Sequence, residues 1–153
     1  MQDAHIKYDI RTFHGALLDI LSVMNHPLRD IQLLRAADVT LDQILFPLLV
    51  SIERFGPIGV VELADRMGRD YTTVSRQIKK LQVQELVGRQ SNPHDKRMSE
   101  VVITEKGKAM TDQIDQARQQ LMNRLFTDWP PEEVHHLFRL VRQYADSLIA
   151  ARE

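Results

Sequence analysis

"VVELADRMGRDYTTVSRQIKKLQVQELVGRQSNPHDKRMSEVVITEKG", Val60 to Gly107, decides how the rest of the chain is read. Its first nine residues predict a helix of about two turns, closed by Gly68, a residue suited to the left-handed conformation at a helix end. Asp70 is the N-cap of a second helix whose apolar stripe is Val74, Ile78 and Leu81. "LVGRQS" and "SEVVIT" predict two strands joined by the loop "NPHDKRM", and Thr104 caps a further helix. Helix, tight turn, helix, hairpin is the order of a winged helix-turn-helix. In that fold the second helix enters the major groove of DNA.

The solvent side of this recognition helix holds Tyr71, Thr72, Thr73, Ser75, Arg76 and Lys79. Arg76 can bridge guanine O6 and N7. Tyr71, Thr72 and Thr73 lie in the first turn, where hydroxyls and backbone N–H groups can meet phosphate. An idle surface helix would pair Glu with Lys along this side, and the pairing is missing. The hairpin loop carries Asp95, Lys96 and Arg97, although a surface turn needs only small polar residues. A hairpin that follows a recognition helix places its tip over the adjacent minor groove, whose potential attracts cations. Arg97 is expected to insert there and Lys96 to meet phosphate. Asp95 is expected to support the wing, either by pairing with Arg97 or by ordering the turn through its own backbone.

The formal net charge is −1, which alone argues against a nucleic-acid partner. The distribution argues for one. Residues 66–108 hold ten Lys or Arg against five Asp or Glu, and the rest of the chain holds ten cations against sixteen anions. A basic middle between acidic ends is a local electrostatic footprint.

"LADRMGRDYTTVSRQIKKLQVQELVGR", followed by Asp95-x-Arg97, then Ile103-Thr104 and Gly107, resembles the multiple antibiotic resistance regulator (MarR) family. That family's signature is a winged helix with a D-x-R wing and a following L-T-x-x-G. The motif match spans residues 57–107. The resemblance implies a mainly α fold with a small β-hairpin wing, and a homodimer whose lobes are carried by N- and C-terminal helices. It implies pseudo-palindromic double-stranded DNA operators near promoters, with repression relieved by a small-molecule effector. By position, Thr72, Thr73, Ser75, Arg76 and Lys79 become groove or phosphate contacts, and Arg97 the wing contact. One residue departs from the pattern. Where many members have Gly before "LV", this chain has Glu85. A left-handed conformation there would cost about 1–2 kcal/mol.

Outward from this segment, residues 39–105 are read as the winged lobe, and residues 1–38 and 106–153 as a helical dimerisation region. Residues 6–24 predict an amphipathic helix with Ile6, Ile10, Phe13, Leu17, Ile20, Leu21 and Met24 on one side. "NHP" interrupts it, and a short helical piece follows over 30–37. Thr40 and Gln43 form a capping box for a helix to Phe55, in which Pro47 predicts a kink. "FGPIG" leaves room for only a very short extended segment. After Thr104 the stripe is Met110, Ile114, Ala117, Leu121 and Leu125. "DWPPEE" starts a last helix with Val134, Leu137, Phe138, Val141, Tyr144 or Ala145, and Leu148. The terminal stripes are remote in sequence from the winged core. Two-fold pairing would bury them and set two recognition helices ~34 Å apart.

The remaining classes fall away. There is no P-loop, G-x-G-x-x-G, G-x-S-x-G or H-E-x-x-H, so the chain is not read as an enzyme. It has no cysteine, which removes disulfides, thiolate zinc and thiol redox sensing. No two histidines stand four apart, and neither metal nor cofactor is expected. No apolar run approaches the roughly 18 residues of a membrane span, and no secretory leader is recognisable, so a cytoplasmic protein without a membrane partner is expected. The family implies an effector pocket between dimer helices and winged lobe. Candidate lining residues are Phe13, His14, Leu17, Phe46, Leu49 and Phe55, joined by Arg54, with plain core as the alternative for each aromatic. The rival function is a winged helix used for protein contact, which calls for an apolar or acidic recognition side.

Overall fold

In the winged segment the helix Val60–Met67 stops on a left-handed glycine, and the helix Tyr71–Val83 starts on the side chain of Asp70. The computed structural model describes residues 9–152. Among them are α1 (Ile10–Met24), α2 (Pro27–Ala36), α3 (Phe46–Phe55), β1 (Ile58–Gly59), α4 (Val60–Met67), α5 (Tyr71–Val83), β2 (Val87–Ser91), β3 (Ser99–Ile103), α6 (Glu105–Leu125) and α7 (Pro131–Ala151). The chain is mainly helical with a small sheet, as expected for a winged helix. It divides into two compact units, one ending at Asp115 and the other beginning at Gln116.

In the first unit, α4 ends in a left-handed glycine. Gly68 has φ +64°, its N–H donates to the Asp65 carbonyl at 3.1 Å, and Arg69 N–H donates to Ala64 at 3.0 Å. This pair of bonds satisfies carbonyls that a helix end otherwise leaves open. α5 ends in the same way. Leu86 N–H donates to Leu81 at 3.0 Å, Glu85 N–H donates to Gln82 at 2.9 Å, and Glu85 has φ +61°. The turn therefore keeps the geometry that favours glycine although a Cβ is present. Glu85→Gly is expected to raise the stability by about 1 kcal/mol. Urea unfolding checks this, and an unchanged or lower midpoint would refute strain at residue 85.

Antiparallel pairing gives a three-stranded sheet in the order β1-β3-β2, with Val87 opposite Ile103, Ser91 opposite Ser99 and Ile58 opposite Val101. The third strand, β1, is the short extended segment after Phe55. Leu48, Leu49, Ile52, Leu63, Val74, Ile78, Leu81, Leu86 and Val101 are completely buried in one core. Burying each such side chain contributes about 1.5–3 kcal/mol. This core fixes which side of α5 faces outward.

Three boundaries differ from expectation. α1 begins at Ile10, because Asp9 is extended and its carboxylate accepts from Thr12 N–H at 3.2 Å. Ile6 lies outside the described residues. α2 begins at Pro27 rather than near Asp30. Proline suits a first helical position, and His26 Nδ1 accepts from Leu28 N–H at 3.2 Å. The expected helix from Thr40 is corrected most. Asp42 takes Ile44 N–H on its side chain at 2.9 Å and Leu45 N–H on its carbonyl at 2.9 Å. That local turn competes with helix, and α3 starts only at Phe46. Pro47 then lies in the first turn, where its missing N–H is not needed and no kink follows.

In the second unit, α7 starts with Pro131, Glu132 and Glu133 in its first turn. The Phe126 ring meets Trp129 and Phe138 edge to face, with centroids 5.0 and 5.9 Å apart. No residue of α7 is buried, and none of α1.

Candidate nucleic-acid interface

The core side of α5 is Val74, Ile78 and Leu81. Directly opposite, at helical spacing, stand Thr72, Arg76, Lys79 and Val83, all exposed. Among the described residues neither the Arg76 nor the Lys79 side chain is held in an ion pair or hydrogen bond, although the Arg76 charge helps to hold the Asp70 carboxyl down. Ser75 is half-buried at the margin of this stripe, and Tyr71 is exposed in the first turn. Val83, 84% exposed, shares the stripe and escapes a search for polar contacts.

Thr73 is already engaged. Its N–H donates to Asp70 Oδ1 at 2.8 Å and its hydroxyl to Asp70 Oδ2 at 2.7 Å. These two bonds, the side-chain one first, hold the Asp70 carboxyl below its usual range. The folded value lies below the unfolded one. The cap's contribution is therefore complete above the ordinary carboxylate range and is lost as the pH falls through the depressed value. The N-terminus of α5 is thus built from an Asp–Thr cap, and Thr73 presents less to a phosphate than its sequence position suggests.

The wing loop joins β2 to β3 over residues 92–98. Asn92 Oδ1 accepts from the N–H groups of His94 and Asp95 at 2.7 and 3.1 Å. Asp95 Oδ1 accepts from Arg97 N–H at 3.0 Å, and Asp95 O accepts from Met98 N–H at 3.0 Å. Of the two roles open to Asp95, the structure contains the backbone one. Arg97 and Lys96 have no ion pair among the described residues and are exposed at the tip. Asn92 is not among the residues expected from the sequence, although Asn before Pro is a recognised turn former.

The six effector candidates are spread out. Phe46 and Leu49 are buried, Leu49 within the main core. Phe55 packs against that core, with the Arg54 and Arg66 guanidinium groups 5.0 and 4.6 Å from its ring centroid. Phe13 and His14 are exposed on α1, and Leu17 is half-buried. A groove of about 530 Å³ beside the end of α2 is lined by other residues, among them Ile31, Leu34, Arg35, Leu41 and Gln43. Among the described residues no group of three His, Asp or Glu could hold a metal ion. No described helix is long and apolar enough to cross a membrane.

Comparison with known proteins agrees with this geometry. The MarR family profile matches residues 43–99. The chain is 31% identical over 109 residues to the uncharacterized HTH-type transcriptional regulator YxaD of Bacillus subtilis (strain 168), a match covering 71% of this chain and 76% of that protein. The apo form of wild-type MarR from E. coli aligns at 28% identity with a TM-score of 0.62, over 85% of this chain and 94% of its own. A MepR variant from S. aureus, solved bound to an oligodeoxyribonucleotide, aligns at 18% identity with a TM-score of 0.53. That match covers 88% of this chain and 97% of MepR, and at such identity the likeness is one of fold. The profile covers the α4–α5 helix pair, β2 and the wing loop, and with the YxaD relative it shows that the chain belongs to the MarR family of DNA-binding transcriptional regulators, which are not enzymes.

Proposed function

We propose that the chain is a cytoplasmic homodimeric repressor that reads pseudo-palindromic double-stranded DNA and is released by a small ligand. The observation that carries this reading is the outward stripe of α5. Thr72, Arg76 and Lys79 stand opposite the core with no ion pair among the described residues, and the basic wing follows in the same lobe. Arg76 reads a guanine, Lys79, Tyr71, Thr72 and Ser75 hold groove or phosphate, and Thr73 supports them through the Asp70 cap. Lys96 and Arg97 meet the minor-groove side, with Asp95 as wing support.

Pairing is supported by the bare apolar sides of α1 and α7, since monomers rarely expose large contiguous apolar patches. The winged lobe of residues 39–105 would be carried by the helices on either side. Release by an effector rests on the family resemblance, with the six residues around Phe13 and Phe46 as candidates.

Selection of bound genomic fragments at near-physiological salt tests the whole reading. Enrichment of an inverted repeat with half-sites about one helical turn apart is expected. A steep negative dependence of affinity on salt is expected too, whereas a protein-contact module would give neither. Arg97→Ala should weaken binding to all sequences alike and reduce the salt slope by about one, with base preference in the half-sites retained. Unchanged affinity in a titration at fixed salt would remove the wing from the interface.

A further inference from the structure

The C-terminal end of the recognition helix is fastened to the first turn of α6. Thr104 Oγ1 donates to the Glu85 carbonyl at 2.7 Å and accepts from Gly107 N–H at 3.0 Å. Lys106 Nζ donates to the Gln84 carbonyl at 2.8 Å. Thr104 N–H donates to the Leu86 carbonyl at 3.1 Å. A Cβ at Gly107 would stand 2.1 Å from that same Leu86 oxygen, so only glycine allows so close an approach of α6. Residues 84–86 are the cap and turn that end α5.

Exposed carbonyls at a helix end can be met by water. Here they are met by groups 19 and 22 residues further along the chain. The Lys106 ammonium also lies at the negative pole of α5. The left-handed conformation of Glu85 turns its carbonyl toward Thr104, which gives the strain at that residue a use. From this junction α6 runs without interruption to Leu125.

We propose that Thr104 and Lys106 are positioning residues for DNA reading: they lock the direction of α5 to that of α6, and so set the half-site spacing that a dimer accepts. This rests on the dimeric DNA-reading function proposed above. A helix free to pivot about its cap would tolerate several spacings, whereas one bolted to a second helix accepts a single one.

The test uses the full chain and operator duplexes whose half-site spacing is lengthened or shortened by one base pair. Wild type should lose about tenfold in affinity for each shift, comparable to one mismatched base pair. Lys106→Met keeps the side-chain length, removes the ammonium and is at an exposed position, so the lobe stays folded. It and Thr104→Val should cut that discrimination to about threefold or less, with unchanged base preference inside each half-site. Thr104→Ser keeps the hydroxyl and should retain it. Full discrimination in both Lys106→Met and Thr104→Val would overturn the proposal and leave the contacts as a fold staple. Equal loss in Thr104→Ser would overturn the role of the hydroxyl. If wild type binds no inverted repeat at any spacing, the dimeric reading itself fails and this one with it.

Discussion

Arg76→Ala is expected to weaken binding to the selected operator by about 1–3 kcal/mol, and to relax selection at one base pair in each half-site. Binding to random-sequence DNA should change much less. The reason is geometric. Arg76 lies one helical turn after Thr72 on the line opposite Val74 and Ile78, in the N-terminal half of α5, the part of a recognition helix that meets base edges. Its guanidinium is planar and can hold guanine O6 and N7 together in a fixed fork, whereas a lysine is a point charge on a flexible stem. Lys79→Ala supplies the contrast. A point charge on the phosphate backbone should cost affinity uniformly and flatten the salt dependence. Titration of both variants on operator and on random duplex separates the two roles. An equal loss for Arg76→Ala on both duplexes would make it a phosphate contact and remove direct readout by this residue.

What could be read from the sequence was what depends on neighbours along the chain. Gly68, Asp70 and the Val74–Ile78–Leu81 stripe act within one or two helical turns, and each stands as expected. The stretch from Thr40 to Leu45 failed because two caps competed there. Thr40 with Gln43 looked like a capping box, and Asp42 formed its own turn instead. Nothing short-range weighs one against the other. The third strand was legible only as a short extended segment, because its pairing with β3 joins residues far apart in sequence. Residue 85 is the clearest case of a non-local cause. The sequence poses the question of a left-handed glutamate, but its answer involves Thr104 and Lys106, which meet the end of α5 from 19 and 22 residues further along the chain. At the site, residue types were legible and engagement was not. Thr73 is expected at groove or phosphate and is bound by Asp70, while Asp95 has two available roles and adopts the backbone one.

Leu148→Glu is expected to turn the proposed dimer into monomers and to lower operator affinity by about 100-fold or more. Leu148 is 52% exposed in the single chain and lies on a helix with no buried residue. Glutamate is a good helix former, so α7 itself should be untouched and the far-ultraviolet circular dichroism unchanged. The cost arises only on association. In the proposed two-fold interface every substitution occurs twice, so two carboxylates would enter the same apolar seam. A buried charge without a partner costs about 3–5 kcal/mol, and every 1.4 kcal/mol is about tenfold in the dissociation constant. Loss of the dimer also removes the second half-site, and a single lobe is left with its own contacts alone. Leu21→Glu asks the same question of α1, where Leu21 is likewise 52% exposed on a helix with no buried residue. Sedimentation velocity gives the mass and a duplex titration the affinity. Monomers with weak binding for both variants would place both terminal helices in the interface. A persistent dimer with wild-type affinity in either variant would exclude that helix from pairing, and its apolar side would then need a different partner.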